Sequence, residues 1–301
     1  MLDVGFWMLD EFKVIAMNRT VSILVNLLIY IVAIFVVIYT WQFLPNMHLL
    51  WKILFADVIG TVVVFIFSMI FNNSSMYDPY WSVQPFVIAV FLTSPWRDMN
   101  SLEMIVLFLV FLYGLRLTLN FYRGWPGMKH EDWRYMDFRT NFPKLYWPIS
   151  FLGIHLFPTI MVFMACMSMV QIFIGPGLGV NIWFFIGLIT MILAIGLAFV
   201  ADEQMRKFRT KPENKGKLMR NGLWKYSRHP NYLGEIMTWW GLYFFSLAAG
   251  YNNKWMIIGP LTVTLMFLFI SIPMLEKREL ARRPEYAQYK KQVSMLIPFK
   301  F

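Results

Sequence analysis

Long apolar runs separated by short polar segments dominate the chain. Thr20–Phe43, Leu49–Phe71, Leu102–Phe121, Trp147–Ile174, Asn181–Ala201, Asn231–Gly250 and Trp255–Leu275 each read as a helical span. A bilayer's hydrocarbon core is about 30 Å thick and takes about 20 apolar residues of helix to cross. An eighth piece, Val83–Thr93, is shorter and is bracketed by Pro85 and Pro95, so it reads as tilted, broken or re-entrant. The pattern predicts an all-α polytopic transmembrane helix bundle of about 7–9 spans, best counted as eight. It forms a single integral membrane domain over residues 1–301. Residues 1–19 are mixed and read as an amphipathic lead-in, with no basic stretch leading into a short apolar core as a signal peptide would have. Pro158 inside the fifth span is expected to kink it.

Composition narrows the class further. Hydrophobic residues make up 58%, charged residues 15%, and the mean hydropathy is +0.54, which excludes an ordinary soluble domain. A net charge of +10 would suggest nucleic acid in a soluble protein, but its placement argues otherwise. Of 27 Lys and Arg, 5 fall in residues 121–146, 9 in 202–230 and 7 in 276–301. Cytoplasmic loops of membrane proteins carry such an excess. With eight spans, these segments and both termini share the cytoplasmic side of an endoplasmic-reticulum or bacterial inner membrane. The expected partners are a lipophilic small molecule and membrane lipids, not nucleic acid. Cys166 stands alone, and His48, His130, His155 and His229 lack ligand spacing, so no metal is implied.

The polar positions inside or beside apolar runs are where chemistry is expected. Residues 222–235, Gly-Leu-Trp-Lys-Tyr-Ser-Arg-His-Pro-Asn-Tyr-Leu-Gly-Glu, join a basic segment to an uncharged run. Pro230 suits the first turn of a helix, which puts Asn231, Glu235 and Thr238 on one face. Glu235 then lies about one turn inside a span, where a carboxylate is costly and marks a functional site. Tyr113, Arg116 and Asn120 share a face of the fourth span, with Arg123 just beyond. Asp202, Arg206 and Arg209 share a face at the end of the sixth, and Arg278 and Arg282 stand one turn apart in the tail. Each group has a bland alternative: an interfacial aromatic belt, a snorkelling arginine, a helix-end ion pair, a solvated amphipathic helix. Together, arginines at one end of buried polar groups suit a ligand with several phosphates, and an anionic lipid headgroup fits the same pattern. The run Gly175-Pro-Gly-Leu-Gly179 is a turn between spans and lacks the spacing and strand of a dinucleotide fingerprint.

Four strings carry a family resemblance: Tyr113-Gly-Leu-Arg116, Asp202-x-x-x-Arg206-x-x-Arg209, Asn231-Tyr-Leu-Gly-Glu235 and Leu296-Ile-Pro-Phe299. From about residue 49 onward the chain resembles the steroid 5-alpha-reductase family. The shorter Arg228-His-Pro-Asn-Tyr232-x-Gly is also similar to isoprenylcysteine carboxyl methyltransferases. The first resemblance implies an NADPH-dependent reductase of a carbon–carbon double bond conjugated to a carbonyl in a lipophilic enone. It implies that Tyr113 hydrogen-bonds the substrate carbonyl and that Arg116, Asp202, Arg209, Asn231 and Glu235 contact NADPH. Asn120, Arg123, Arg206, Arg228, His229, Tyr232, Arg278 and Arg282 complete the expected cofactor set. Where the steroid enzymes carry a glutamate, this chain has Ser82-Val-Gln84-Pro85, which makes Gln84 the expected partner of Tyr113 or the substrate. Two other readings stand beside this one: an S-adenosylmethionine-dependent membrane methyltransferase and a non-catalytic lipid-binding membrane protein.

Overall fold

A computed structural model describes residues 17–44, 47–93 and 98–298. The lead-in over residues 1–16, Pro95, Phe299 and the two chain ends whose side of the membrane was expected above lie outside them. The described residues are all-helical and form no strand. In chain order the helices are α1 (Arg19–Trp41), α2 (Leu49–Ile70), α3 (Tyr80–Thr93), α4 (Ser101–Gly124) and α5 (Trp133–Asn141). They continue as α6 (Pro143–Ile174), α7 (Ile182–Arg209), α8 (Pro230–Ala248), α9 (Lys254–Arg282) and α10 (Tyr286–Gln292).

Six of these helices, α1, α2, α4, α6, α7 and α9, are long and apolar enough to cross a bilayer. The chain is an integral membrane protein. Two of the eight expected spans fall short of that standard. Helix α3 has 14 residues, about 21 Å at 1.5 Å per residue. Helix α8 has 19 residues but interrupts its apolar run with Asn231, Glu235 and four Trp or Tyr, and most of it is buried against other helices. An apolar run thus marks a buried central helix as readily as a membrane-facing one. Helix α6 departs from α-helical register over Ser150–Leu156, which is a π-helical stretch. Pro158 has no N–H to offer, and the Phe157 N–H reaches back five residues to the Leu152 carbonyl.

Contacts group the chain into two compact units: Met1–Gln84 with Leu117–Phe163, and Pro85–Arg116 with Met164–Phe301. The core of the first unit is Ile29, Tyr30, Ala33, Val64, Met76, Tyr77, Tyr80, Trp125 and Met128. Its unusual feature is a buried 3-10 turn, Ser74–Tyr77, whose backbone must find partners away from water. Asn26 Nδ2 and Tyr30 Oη both donate to the Met76 carbonyl, at 3.1 and 3.0 Å. The Ser74 N–H donates to Glu131 Oε1 at 2.7 Å, and Asn73 Nδ2 donates to the Met128 carbonyl at 2.7 Å. Close by, Tyr135 donates to Asp78, whose carboxyl is pushed up to about 7 by burial, against the pull of Arg134.

The second unit is built on α7 and α8, which approach closely because glycines line the seam. A Cβ on Gly234 would sit 2.6 Å from the Ala194 carbonyl oxygen and 2.9 Å from the Ala198 nitrogen. Gly241 meets Met191 and Gly187 meets Phe245 in the same way. These are small-residue contacts of the kind that let membrane helices pack by backbone approach. Gly196, also on α7, faces open space. Gly234→Ala is therefore expected to be less stable than Gly196→Ala by about 1–3 kcal/mol, the usual cost of overpacking. Thermal unfolding of both variants in detergent, followed by tryptophan fluorescence, measures the difference.

Candidate active site

Three helices of the second unit bring one side-chain cluster together. Pro230 occupies the first turn of α8, and the register it sets points Asn231 and Glu235 towards α7 and α4. Arg116 on α4 is gripped from both sides. Its Nη1 lies 2.6 Å from Asp202 Oδ2 on α7, and its Nη2 contacts Glu235 Oε1. Asn231 Nδ2 donates to the other Asp202 oxygen, Oδ1, at 3.3 Å. The Arg116 side chain is only 7% exposed, so its charge is balanced inside the protein rather than by water. One guanidinium faces two carboxylates. The centre is therefore one charge negative, and Arg116 Nε remains a buried donor without a protein partner.

Tyr113 lies one turn before Arg116 and is 3% exposed. Its ring meets Trp239 edge-on with centroids 5.8 Å apart, and the Arg116 guanidinium carbon is 5.9 Å from its centroid. The Glu235 carboxylate also interacts with the Tyr113 hydroxyl. Tyr113, Arg116, Asp202, Asn231 and Glu235, five residues singled out by helical spacing, thus form one connected group.

The remaining expected site residues make other contacts or belong to the first unit. Arg206 is exposed and holds Glu203 through Nη2–Oε1 and Nε–Oε2 contacts of 2.6 and 2.8 Å. Arg209 has Glu279, Arg283, Arg282 and Asp202 as its charged neighbours, so several cations collect at the end of α7. Arg278 is half-buried on α9. Gln84, Asn120 and Arg123 belong to the first unit. Asn120 is half-buried and Arg123 is exposed.

Arg228 and His229 are committed to contacts within the chain. Arg228 Nε donates to Glu276 Oε1 at 2.7 Å, while its Nη1 donates to the carbonyls of Lys290, at 3.0 Å, and Val293. His229 Nε2 lies 3.1 Å from the same Glu276 oxygen, and Lys290 Nζ lies 2.8 Å from Oε2. The Arg228 N–H adds a bond to the Ser294 carbonyl at 2.9 Å. This clamp ties the segment before α8 to the chain after α9. Burial lowers the His229 pKa, with the Glu276 hydrogen bond opposing it. The His229 ring also stacks on Tyr232, 5.5 Å between centroids.

Two buried carboxylates, one in each unit, carry little signal in the sequence. Glu276 reads as one charge of an amphipathic tail, because two of its partners, His229 and Arg228, come from 47 and 48 residues earlier. Asp57 reads as a polar residue near the start of a span. In the structure it is buried and accepts hydrogen bonds from Tyr80 and Gln84. Its signal was a polar stripe of Asp57, Thr61 and Ser68 on one face of α2.

Residues 64–293 match the family described as a protein of unknown function, DUF1295. The chain belongs to this DUF1295 family. Among curated relatives, an uncharacterized protein of Schizosaccharomyces pombe is 26% identical over 86% of this chain and 87% of its own. Methanethiol S-methyltransferase 1 of Bradyrhizobium diazoefficiens is 36% identical over 35% of this chain and 33% of its own. Human 3-oxo-5-alpha-steroid 4-dehydrogenase 1 is 32% identical over 34% of this chain and 36% of its own. This DUF1295 chain therefore aligns with about a third of each named enzyme. No solved structure matches it.

The charge balance of the cluster gives a direct test. Arg116→Met leaves Asp202 and Glu235 as buried carboxylates without a counter-charge, which typically costs about 3–5 kcal/mol. Adding Asp202→Asn and Glu235→Gln to that variant is expected to restore most of the loss. Melting temperatures of the single and triple variants in detergent check the sign. A triple variant less stable than Arg116→Met would break the charge argument.

Proposed function

We propose that this chain is a membrane oxidoreductase that uses NADPH to reduce a carbon–carbon double bond conjugated to a carbonyl in a lipophilic substrate. The observation that carries the reading is the convergence of Tyr113 with Arg116, Asp202, Asn231 and Glu235 in one buried group. The residues present suit the cofactor. Asp202 and Glu235 offer acceptors for ribose hydroxyls or a carboxamide N–H, and Arg116 Nε offers an unpaired buried donor. Phosphates would fall to Arg209 and Arg282, with Arg206 and Arg278 nearby in sequence, since guanidinium groups bind phosphate bidentately.

NADPH, when bound, supplies a hydride to the β-carbon of the enone. The chain's own part is to stabilise the charge that develops on the carbonyl oxygen. Tyr113 is the donor placed for that: a phenol is un-ionised at neutral pH and can donate a hydrogen bond to an enolate oxygen. Glu235 lies near the same hydroxyl. Trp239 packs edge-on against the Tyr113 ring. The basic segments at 202–230 and 276–301 would put the cofactor side in the cytoplasm, with the substrate arriving from the bilayer.

A second reading, an S-adenosylmethionine-dependent methyltransferase, is favoured by one observation. The Arg116–Asp202–Glu235 centre is net negative and would welcome a ligand with a cationic amine or sulfonium. The cations around Arg209 distinguish the two, because a methyl donor brings no phosphates to pair with them.

Tyr113→Phe separates the roles with almost no change in volume. NADPH affinity is expected to hold, because the phosphates are bound elsewhere. Turnover of an enone, followed by NADPH oxidation, is expected to fall about 10²–10³-fold, as for loss of one preorganised oxyanion donor. Turnover within a few-fold of wild type would remove Tyr113 from the mechanism. Loss of NADPH binding would make it a cofactor or structural residue instead.

A further inference from the structure

The segment 210–222 folds back on the end of α7 and builds a pocket there. Gln204 Oε1 accepts the Leu223 N–H at 2.9 Å, and Asn214 Nδ2 donates to the Phe208 carbonyl at 2.9 Å. Trp224 Nε1 donates to the Ala201 carbonyl at 3.1 Å. Gly222 permits the turn that closes this path: its φ is +61°, and a Cβ there would collide with the Gln204 amide. The resulting cavity measures about 390 Å³. Its lining includes Gln204, Lys207 and Phe208, which stand about half a turn round the helix from Asp202 at 3.6 residues per turn. The pocket therefore lies on the face of α7 turned away from the Arg116–Asp202–Glu235 centre.

The lining combines an apolar floor with a basic rim. Phe208 and the buried Met219 form the floor, packed with Ala201 and Trp224. Lys207 and Lys211 are exposed at the rim. Lys207 is only loosely engaged, 3.6 Å from a Glu203 oxygen that Arg206 already holds at 2.6 Å. Against these two cations the lining has one carboxylate, Glu213, so it carries one net positive charge. A phosphodiester with a single negative charge matches that balance, and a lysine ammonium binds phosphate as a point charge. The Asn221 amide, also in the lining, offers a donor and an acceptor to headgroup hydroxyls.

The rest of α7 shows where such a ligand would come from. Ile189, Leu193 and Val200 are exposed on a helix long and apolar enough to cross the bilayer. A Cβ on Gly196 between them would meet open space. Gln204 and Lys207 continue that stripe at spacings of four and three. Lys207 comes seven residues after Val200, about 10 Å along the axis, at the level of the headgroups that border the hydrocarbon core. An acyl chain lying along the stripe would bring its own phosphate to the lysines.

We propose that this pocket holds the phosphodiester headgroup of an anionic glycerophospholipid, with the phosphate between Lys207 and Lys211 and the acyl chains on the exposed stripe of α7. The site stands independently of the reductase reading, since it uses none of the residues assigned to that reaction.

Native mass spectrometry of the full chain in detergent, titrated with dioleoylphosphatidylglycerol or dioleoylphosphatidylcholine, tests it. Wild type is expected to bind one phosphatidylglycerol about tenfold tighter than phosphatidylcholine. Lys207→Gln combined with Lys211→Gln is expected to weaken phosphatidylglycerol about 30-fold, at about 1 kcal/mol for each lysine near an anionic lipid. Lys215→Gln combined with Lys217→Gln removes the same charge from the same segment but outside the lining, and is expected to leave binding within about threefold. Asn221→Trp fills the pocket without changing its charge and is expected to abolish the tight site. All five positions are exposed, so folding is expected to survive, and melting temperatures check it. Equal binding of the two lipids to wild type, an equal loss in both double variants, or undiminished binding in Asn221→Trp overturns the proposal. So does displacement of the lipid by equimolar glycerol 3-phosphate, which would make the ligand a soluble phosphate. Displacement by equimolar NADPH overturns it as well, by joining the pocket to the cofactor site.

Discussion

A guanidinium held between two carboxylates inside an apolar bundle is the interaction on which the second unit depends. Burying any one of Arg116, Asp202 or Glu235 alone would be prohibitive, so each helix carries a charge that only the other two make tolerable. That requirement fixes the rotation of α4, α7 and α8 about their axes, since a quarter-turn of any of them would strand a charge. The glycine seam between α7 and α8 serves the same end: Gly234 lets the backbones close until Asn231 and Glu235 reach Asp202 and Arg116. Packing and charge pairing specify one arrangement.

The first unit solves a related problem largely with hydroxyls and amides. Its buried turn at Ser74–Tyr77 and its π-helical stretch in α6 leave backbone groups that lipid cannot satisfy. Asn26, Tyr30, Glu131 and His155 pair with such groups, and a chain of hydroxyls links the side chains around them. Tyr146 donates to Glu131 at 2.8 Å, and its hydroxyl lies 2.7 Å from Ser74 Oγ, which in turn lies 2.8 Å from Ser150 Oγ. His155 Nδ1 lies 2.9 Å from the Ser150 carbonyl, and its Nε2 lies 3.2 Å from Ser68 Oγ. Such networks specify structure only when every member is paired.

Much of the candidate site is legible in the sequence, because the informative residues repeat at helical spacing within single segments. Tyr113 with Arg116, Asp202 with Arg209, and Asn231 with Glu235 are local patterns, and helix geometry alone puts each pair on one face. What spacing could not tell is which segment faces which. Arg228 and His229 sit in the strongest motif of the chain, yet they bind Glu276 and the carbonyls around residue 290. Basic residues next to a membrane helix suit an external anion as well as an internal carboxylate, and only the fold decides. Span counting met a similar limit. Helix α8 is apolar because it is surrounded by protein, and α3 is too short to cross by itself. Asp57 was obscured because one polar residue near a helix end resembles an interfacial residue, although Thr61 and Ser68 continue its face.

Whether the buried charge cluster serves a phosphate-bearing dinucleotide is the central question, and the ligand itself can answer it. The protein purified in mild detergent, without added nucleotide, is denatured and its released small molecules are identified by mass spectrometry. NADP(H) in stoichiometric amount, lost when Arg116 is replaced, is the expected result. An S-adenosyl compound in its place would contradict the reductase reading and assign the same cluster to methyl transfer.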